Sequence, residues 1–509
     1  MSNIRLRRAT AVWFLALYLL IGVPVWYKLT TIHRAPLPAE YIESLYKGNN
    51  HDVHMVIPVY IMSKTFKFPD LHDAVQLQVN HMLQNKERYV NWSLQVLPYP
   101  EDGSVDLHNE YVVILENDES PGFVIPSDGR KTILFHNLDN VLHNDLPFFV
   151  SQSLVEHTFQ LEWNRLNKKY TSGVDSNRVK NMAIEYNPNV HLSISLLSGD
   201  GNPVSWEIEH VALKYLTPLR QFLSPLVNFT IDTNIIYFND LNLHHLKNRS
   251  LLSQQDLSQT IDLSELSSAN YYEEQNCLHL AIVFPSNSTG SLPFINSDKH
   301  WNSFLVPQWG TLIINDEPLP ENPYLSEDYL APVMHKFSNE LLQLLGFTED
   351  SEGLSSPVIT LDSFKRLTIL NNLNHSINTL WSLVKMTSNL PQMTIPIDVL
   401  TNVKDALDLR LETIEMLNNP AKQNSHEVWN DALIKSNKLV YLCEKAFFHK
   451  EMVQQMFLPQ EHKVAVYLPL LGPISIVTIA GFLKIWREQD SESDDDTSTE
   501  EGASKEKMQ

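Results

Sequence analysis

Two apolar stretches near the ends of the chain constrain its fold more than any other feature. Residues 9–27 and 464–483 contain no charged side chain over 19 and 20 positions, respectively. As α-helices they would cross nearly all of the ~30 Å hydrocarbon core of a bilayer. No small-residue cleavage site follows the first stretch, which favours an uncleaved signal anchor. The sequence therefore predicts two transmembrane helices with most of the chain between them.

Two spans place both termini on one side of the membrane. Basic residues at the outer ends of the spans favour the cytoplasm for both termini: Arg5, Arg7, Arg8, Lys484 and Arg487. The predicted organisation is a cytoplasmic N-terminus (1–8), a transmembrane helix (9–27), a lumenal α/β domain (28–350), a lumenal helical region (351–463), a second transmembrane helix (464–483) and an acidic, disordered cytoplasmic tail (484–509).

The composition of the chain is that of a globular protein. Hydrophobic residues make up 43% and charged residues 19% of the 509 positions, which is unlike a many-span transporter or a disordered chain. Only 15 glycines are present, which disfavours glycine-rich nucleotide loops. A net charge of -22 offers no basic face for nucleic acid. We therefore predict no cofactor and no nucleic-acid partner.

The pattern of apolar residues changes along the loop between the spans. Short β-rich runs occur at 53–62, 111–115, 132–135, 191–197, 228–238, 278–284 and 311–314. Helical patterns separate them at 71–84, 148–166, 206–226 and 328–345. Beyond residue 357 only helical periodicity is found, at 361–383, 397–417 and 428–456. The predicted fold class is an α/β lumenal domain with a helical C-terminal stalk, anchored by N- and C-terminal transmembrane helices. No internal repeat is evident.

The usual catalytic signatures are absent. There is no G-x-S-x-G elbow, no phosphate-binding G-x-x-x-x-G-K-[ST] loop and no H-E-x-x-H helix. Cys277 and Cys443 leave two alternatives open, a single disulfide or two free thiols. Cys277 has His279 on the same face of a predicted strand, so a thiol nucleophile is geometrically allowed, although a packed apolar cysteine is the commoner arrangement.

The remaining polar pairs do not match a known ligand spacing. The histidine pairs 51/54, 136/143 and 244/245 have no nearby cysteine or carboxylate at such a spacing, so no metal site is predicted. Glu207 and Glu209 are interpreted as the charged start of a helix.

Five N-x-[ST] sequons lie between the predicted spans, as a lumenal loop requires. Their acceptors are the N-glycosylation candidates Asn91, Asn228, Asn248, Asn287 and Asn374. Asn, Ser and Thr are frequent enough in this chain that about five sequons are expected by chance. The sequons are compatible with a lumenal loop without proving it.

Several segments together resemble one family. At the end of the first span and just after it the chain reads GVPVWYKLTTIHRAPLP, mid-chain it reads VSWEIEHVALKYLTPLRQFLSPLVNFTIDTNIIYF and later PQWG. The exit toward the second span has Phe457, Pro459, Lys463, Tyr467 and Pro469 in the corresponding order. In these blocks the chain resembles the S subunit of the GPI transamidase, the PIG-S family. Residues 40–190 and 239–300 match only loosely.

This resemblance implies an endoplasmic reticulum membrane protein with a lumenal domain. It implies a non-catalytic structural subunit of the complex that replaces the C-terminal signal of proproteins with a preassembled GPI anchor. The implied partners are a caspase-like catalytic subunit, the membrane-embedded subunits and, through the complex, the proprotein and the GPI lipid. Two alternatives remain: a doubly anchored lumenal hydrolase that uses Cys277, and a substrate-recognition subunit of the same complex.

Overall fold

The computed structural model describes the following residues: 2–22, 24, 34–48, 51–63, 68, 70–84, 91–100, 106, 108–138, 145–171, 186–246, 252, 261, 276–294, 300–306, 309–345, 347, 356–391, 393–418, 425–452, 469, 472–473 and 475–484. The chain forms two compact units. The first unit combines Met1–Lys47, Ser376–Asp408 and Val440–Gln509, and the second combines Gly48–His375 and Leu409–Leu439.

The strands all belong to the second unit. In chain order they are β1 His54–Ser63, β2 Asn91–Pro98, β3 Tyr111–Asn117, β4 Gly122–Val124, β5 Lys131–His136, β6 Asn189–Ser198, β7 Ser205–Trp206, β8 Asn228–Tyr237, β9 Asn276–Phe284, β10 Trp301–Val306, β11 Gly310–Asn315 and β12 Tyr324–Leu325.

Helices precede, connect and follow these strands. They are α1 Ser2–Leu17, α2 Ala39–Gly48, α3 Leu71–Gln84, α4 Leu146–Gln152, α5 Gln160–Thr171, α6 Ile208–Val211, α7 Thr217–Leu223, α8 Glu327–Leu344, α9 Pro357–Asn389, α10 Ile397–Asn418 and α11 Ser425–Phe447. Single π-helical turns follow α1, α4 and α6, at Tyr18–Gly22, Ser153–Thr158 and Ala212–Leu216.

The first sheet has the strand order β2-β1-β3-β5-β4. All neighbouring strands are parallel except β4, which runs antiparallel to β5. Parallel neighbours need a crossover connection, and α3 provides one between β1 and β2. The middle strand β3 is fully buried along Tyr111–Leu115, which explains its continuous apolar run.

The second sheet has the strand order β10-β11-β9-β6-β8. Here β10 is the antiparallel strand, and β6, β8, β9 and β11 are parallel neighbours. When the strands of each sheet are numbered along the chain, both sheets have the order 2-1-3-5-4 with strand 4 antiparallel. The sequence shows no internal repeat, whereas the topology contains one.

The equivalence of the two sheets extends to individual residues. The second strand of each sheet, β2 or β8, begins with a sequon: Asn91-Trp92-Ser93 in one and Asn228-Phe229-Thr230 in the other. Both asparagines are exposed and both aromatic side chains are buried, Trp92 at 2% and Phe229 at 1% exposure. The predicted α/β domain of 28–350 therefore contains two sheets of one topology.

Apolar clusters cover both faces of the second sheet. One cluster joins Ile194, Leu280 and Ile313 to Phe337 of α8. The other joins Leu197, Val283 and Ile314 to the segment that follows β8. Gly310 begins β11 with φ +146, and a Cβ there would lie 1.9 Å from the His279 carbonyl oxygen. This close approach requires the glycine of the PQWG segment.

The helices of the second unit contact the first sheet through polar side chains. Arg410 of α10, only 1% exposed in its side chain, forms a bidentate pair with Asp52 just before β1, at 2.6 and 2.8 Å. Asn372 of α9 donates hydrogen bonds to Ser436 and Asn437 of α11. α9 and α11 are therefore bonded to each other, and α10 to the amino end of β1.

The first unit joins segments that are far apart in sequence. Arg34 donates hydrogen bonds to the carbonyls of Thr387, at 2.6 Å, and Leu390, at 3.0 Å, at the C-terminal end of α9. Tyr46 of α2 stacks on Trp381 at 5.2 Å. An arginine satisfies the open carbonyls at a helix C-terminus, which explains Arg34 in the segment that follows the first apolar stretch.

The terminal helices also meet within the first unit. The hydroxyl groups of Tyr18 and Ser475 lie 2.7 Å apart and share a hydrogen bond. Among the helices built from described residues, none meets the length and hydropathy that a membrane crossing needs.

Most predicted elements correspond to observed ones, with differences at their ends. The helix predicted for 206–226 begins only at Ile208, because Ser205 and Trp206 pair with Tyr324 and Leu325 as a short parallel ladder. The helix predicted for 428–456 ends as α11 at Phe447. Strands β2, β4, β7, β10 and β12 and helix α2 were not predicted.

Candidate functional site

The predicted strand face around Cys277 brings together a polar cluster at the amino end of the second sheet. Cys277 on β9 is paired in register with His191 on β6, and His191 is paired with Thr230 on β8. His191 Nδ1 lies 2.8 Å from Thr230 Oγ1, and His191 Nε2 lies 3.2 Å from Asp232 Oδ2. A thiol, an imidazole and a carboxylate therefore share one face, as the hydrolase alternative requires.

The electrostatics of this face do not activate the thiol. Burial, and to a smaller degree the Asp232 carboxylate, raise the pKa of Cys277 to about 11. Nucleophilic cysteines have the opposite shift, because a nearby cation or helix N-terminus stabilises the thiolate. Burial lowers the pKa of His279, whose ring stacks on Trp309 at 4.8 Å. Cys277 is therefore protonated and His279 neutral near pH 7.

Both cysteines are free thiols, so the disulfide alternative for Cys277 and Cys443 does not describe the structure. The two thiols have different surroundings. Cys443 is buried in α11 and hydrogen-bonds Ser376, and burial raises the pKa of its thiol to about 12. Cys277 lies within β9.

The glutamates of the WEIEH segment have separate surroundings. Glu207 accepts hydrogen bonds from the Tyr324 hydroxyl and, at 2.8 Å, from the Glu327 backbone N–H at the first turn of α8. Glu209 is exposed. Glu207 therefore satisfies an open N–H of α8, which is a structural role.

The histidines of the three sequence pairs have different surroundings and do not form a common site among the described residues. His54 Nδ1 lies 2.8 Å from Asn91 Nδ2, and His244 and His245 contact each other. His136 packs against Phe149, whereas its predicted neighbour His143 is outside the described residues. In the part of the chain that the structure describes, no group of three His, Cys, Asp or Glu side chains is arranged to hold a metal ion.

The switch point of the second sheet is filled by the chain itself. Ligands of open α/β sheets bind where the strand order reverses, here at the carboxyl ends of β6 and β9. The turn after β9 occupies this place: Asn287 N–H donates to Asp200 at 2.9 Å, and the Thr289 hydroxyl donates to Asp240 at 3.0 Å. A Cβ on Gly199 would lie 2.3 Å from the Ser286 nitrogen, so the turn is tightly packed there.

A buried charge cluster, not recognised in the sequence, lies between the first sheet and α9. It consists of Tyr111, Arg130, Glu162, Asp362, Lys365 and Arg366. Arg366 Nε donates to Glu162 at 2.5 Å, and its Nη1 donates to the Tyr111 hydroxyl at 2.9 Å. The Tyr111 hydroxyl in turn donates to Asp362 at 3.0 Å.

Charge compensation favours the ionised form of Asp362 in the interior, whereas burial prevails at Glu162, whose pKa is raised, and at Lys365, whose pKa is lowered. Burial alone would raise the pKa of Asp362, but the hydrogen bond and charge of Arg130 outweigh it and lower that pKa. Arg366 also lies over the rings of Tyr111, Phe159 and Trp429, at 5.3, 5.8 and 5.5 Å. Its side chain is fully buried, so the cluster positions α9 against the sheet rather than contacting a substrate. The signal was the adjacent charges Lys365 and Arg366 within a predicted helix.

The sequon asparagines differ in their surroundings. Asn91, Asn228 and Asn287 are exposed, the first two at strand starts and the third in a turn. Asn374 lies within α9, and Ser376 of its sequon is fully buried. The fifth, Asn248, lies outside the described residues.

Comparison with known proteins covers the whole chain. The family model for the phosphatidylinositol-glycan biosynthesis class S protein matches residues 13–492. A relative from Saccharomyces cerevisiae, "GPI transamidase component GPI17", is 54% identical over 100% of this chain and 97% of its own length. The Schizosaccharomyces pombe "GPI transamidase component PIG-S homolog" is 26% identical over 92% of this chain and 81% of its own. The human "GPI-anchor transamidase component PIGS" is 22% identical over 94% and 95%. With a match that runs from the first apolar stretch to the acidic tail, the chain belongs to the PIG-S family.

Proposed function

We propose that this protein is a non-catalytic structural subunit of the GPI transamidase complex. The observation that carries the proposal is the end-to-end similarity to a relative that is itself named as a component of that transamidase, at 54% identity. The similarity extends over 100% of this chain and 97% of the relative. Its partners are the other subunits, including the catalytic one, and it meets the proprotein and the GPI lipid through them.

In this proposal the protein contributes to the reaction by positioning other subunits and performs no chemical step itself. A subunit that holds others in register raises the effective concentration of proprotein, lipid and nucleophile at one site. The test is depletion of the protein followed by an assay of GPI attachment. We expect anchored proteins to disappear from the cell surface, whereas undiminished surface display in depleted cells contradicts the proposal.

The raised pKa of Cys277 supports a non-catalytic role. Cells that carry only the Cys277→Ser form should attach GPI anchors at the normal rate, because a protonated thiol that does no chemistry is replaceable by a hydroxyl. Cys443→Ser is the matched control for thiol burial. Loss of attachment by the first variant alone, with the complex intact, would establish the hydrolase alternative instead.

We further propose that residues 9–27 and 464–483 anchor the chain in the endoplasmic reticulum membrane with both termini cytoplasmic. The charge-free stretches support this, as do the exposed apolar side chains of Leu20, at 76%, and Val477, at 72%, on helices that share the Tyr18–Ser475 hydrogen bond. Glycosidase treatment should shift the mobility of the protein, and protease added to sealed microsomes should remove only the acidic tail and the short N-terminus. Protection of the tail would contradict this topology.

A further inference from the structure

The edge strands of the two sheets differ in what bonds to their outer sides. A strand at a sheet edge presents a row of backbone N–H and C=O groups that can pair with another chain. The edge strands are β2 and β4 in the first sheet and β8 and β10 in the second. Strand β4 has only three residues, whereas β8 has ten. Long, regular edges are normally protected, so β8 requires an explanation.

The edge of β2, the counterpart of β8, is closed by one side chain. Gln76 of α3 donates from Nε2 to the Leu94 carbonyl at 2.9 Å, and its Oε1 accepts from the Val96 N–H at 2.7 Å. These are the two bonds that a neighbouring strand would make with β2. The amide therefore takes the place of a strand.

The edge of β8 has no such closure within the described residues. Asn228 N–H donates to the Pro188 carbonyl, so by strand alternation Ile231, Thr233 and Ile235 direct their N–H and C=O groups away from β6. No described strand or side chain bonds to these groups, and Thr233 is exposed. The strand also lacks the proline, lysine or arginine that commonly protects an edge.

Asp232 supplies the only charge on β8. Its side chain is 43% exposed and Oδ2 lies near His191, whereas Oδ1 is buried and accepts no hydrogen bond among the described residues. Side chains on neighbouring strands lie about 5 Å apart at their Cβ atoms. A lysine or arginine on an added strand would therefore lie beside the exposed part of this carboxylate.

We propose that β8 is a β-augmentation site for an extended segment of another subunit of the transamidase complex, with a basic residue of that segment beside Asp232. This inference rests on the proposed function. A second copy of this chain fits less well, because two-fold pairing about the centre of β8 brings the two Asp232 carboxylates together. A ten-residue edge gives many main-chain bonds, which suits a permanent subunit contact better than a substrate that must leave.

The first test is photo-crosslinking in the intact complex. The full chain carries p-benzoylphenylalanine in place of Thr233, or in place of Gln95, which is exposed on the closed strand β2. The complex is isolated in mild detergent and irradiated. We expect an adduct with another subunit from position 233 and none from position 95.

Each other outcome overturns the inference. An adduct between two copies of this chain identifies β8 as a self-association edge, and an adduct only with proprotein identifies it as a substrate site. If other subunits co-purify and position 233 gives no adduct, the inference fails while the proposed function stands. If no other chain co-purifies even with the unsubstituted protein, the proposed function itself fails.

A backbone variant tests the hydrogen bonds directly. Thr233→Pro removes one outward N–H without removing a bond to β6, whereas Thr233→Val keeps the N–H. We expect about tenfold lower recovery of the crosslinked subunit with proline, equivalent to roughly 1.4 kcal/mol, and normal recovery with valine. Equal recovery with both variants overturns the proposal, and the crosslinking result decides if the proline variant fails to fold.

Discussion

The two sheets of this protein share one strand order and differ in how they are bonded to their surroundings. The first sheet is held by ion pairs: Arg130, just before β5, pairs with Asp362 of α9, and Asp52, just before β1, pairs with Arg410 of α10. Its edge β2 is closed by Gln76. The second sheet is packed between two apolar clusters and leaves β8 open. Two sheets with the same strand order can thus differ at their edges, because a few side chains decide whether the edge N–H and C=O groups are bonded within the chain.

The largest expected effect tests the charges beneath the first sheet. Arg366→Met leaves the fully buried Glu162 without its partner. An unpaired buried charge costs about 3–5 kcal/mol, and the lost ring contacts add about 1 kcal/mol. The free energy of unfolding is measured by urea denaturation of the full chain in mild detergent.

The control is Lys435→Met, which breaks the exposed pair with Glu412 and should cost about 1 kcal/mol or less. Adding Glu162→Gln to Arg366→Met should restore part of the loss, because it removes the unpaired charge. A loss below about 1 kcal/mol for Arg366→Met would mean that the cluster does not hold the first sheet.

The second prediction tests the equivalence of the sheets. Trp92→Ala and Phe229→Ala remove the first buried side chain of equivalent strands. Each should lower the free energy of unfolding by about 3–5 kcal/mol, as for other buried aromatic residues. If one variant is near neutral and the other severely destabilised, Trp92 and Phe229 are not equivalent, and the proposed equivalence of β2 and β8 is contradicted.

The third prediction sharpens the difference between the two edges. Gln76→Ala removes two hydrogen bonds to β2 and should cost about 1–3 kcal/mol. It also opens that edge, so the variant should crosslink to other chains from position 95, as the parent does from position 233. Gln78→Ala, exposed on the same helix, is the matched control and should change neither quantity. An unchanged crosslinking pattern in the Gln76 variant would show that the amide does not protect β2.

The smallest expected effect depends on pH. Burial lowers the pKa of His279 below its ordinary value of 6.5, so the unfolded chain binds this proton more readily. The stability that His279 contributes is therefore complete above pH 6.5 and is lost as the pH falls below that value toward the lowered pKa. His279→Phe should weaken the fall of the melting temperature in this range. Equal acid sensitivity of the His279→Phe variant and the parent protein would contradict the assignment.

Much of the fold could be predicted because local patterns dominate it. The helix predicted for 71–84 is α3 without any change of its ends, and the apolar run of 278–284 forms most of β9. The edge strands were harder to predict. β2 is partly polar, and β10 acquires its conformation from its antiparallel pairing with β11. Pairing between distant strands leaves no local signal, so the shared order of the two sheets was not visible.

The Cys277 face and the buried charge cluster were also only partly predictable, because both depend on contacts between distant residues. The shared face of Cys277 and His279 followed from strand alternation, but the contributions of His191 and Asp232 depend on the register of three strands. Burial keeps Cys277 protonated, and burial depends on the tertiary structure, so it could not be predicted from the sequence. The buried charge cluster joins residues up to 255 positions apart, so only the unusual Lys365-Arg366 pair pointed to it.

The hydrogen bond between Tyr18 and Ser475 has a consequence for folding during synthesis. Roughly 330 residues separate Lys47, the end of the first segment of the first unit, from Ser376, where its next segment begins. At about 5–20 residues per second, that segment waits about 20–60 s for its first partner, and longer for the segment that contains Ser475. The second unit can acquire its sheets in that interval, whereas the first unit is completed only when synthesis is almost finished. The N-terminal segment Met1–Lys47 is thus synthesised first but is among the last parts of the protein to complete its tertiary contacts.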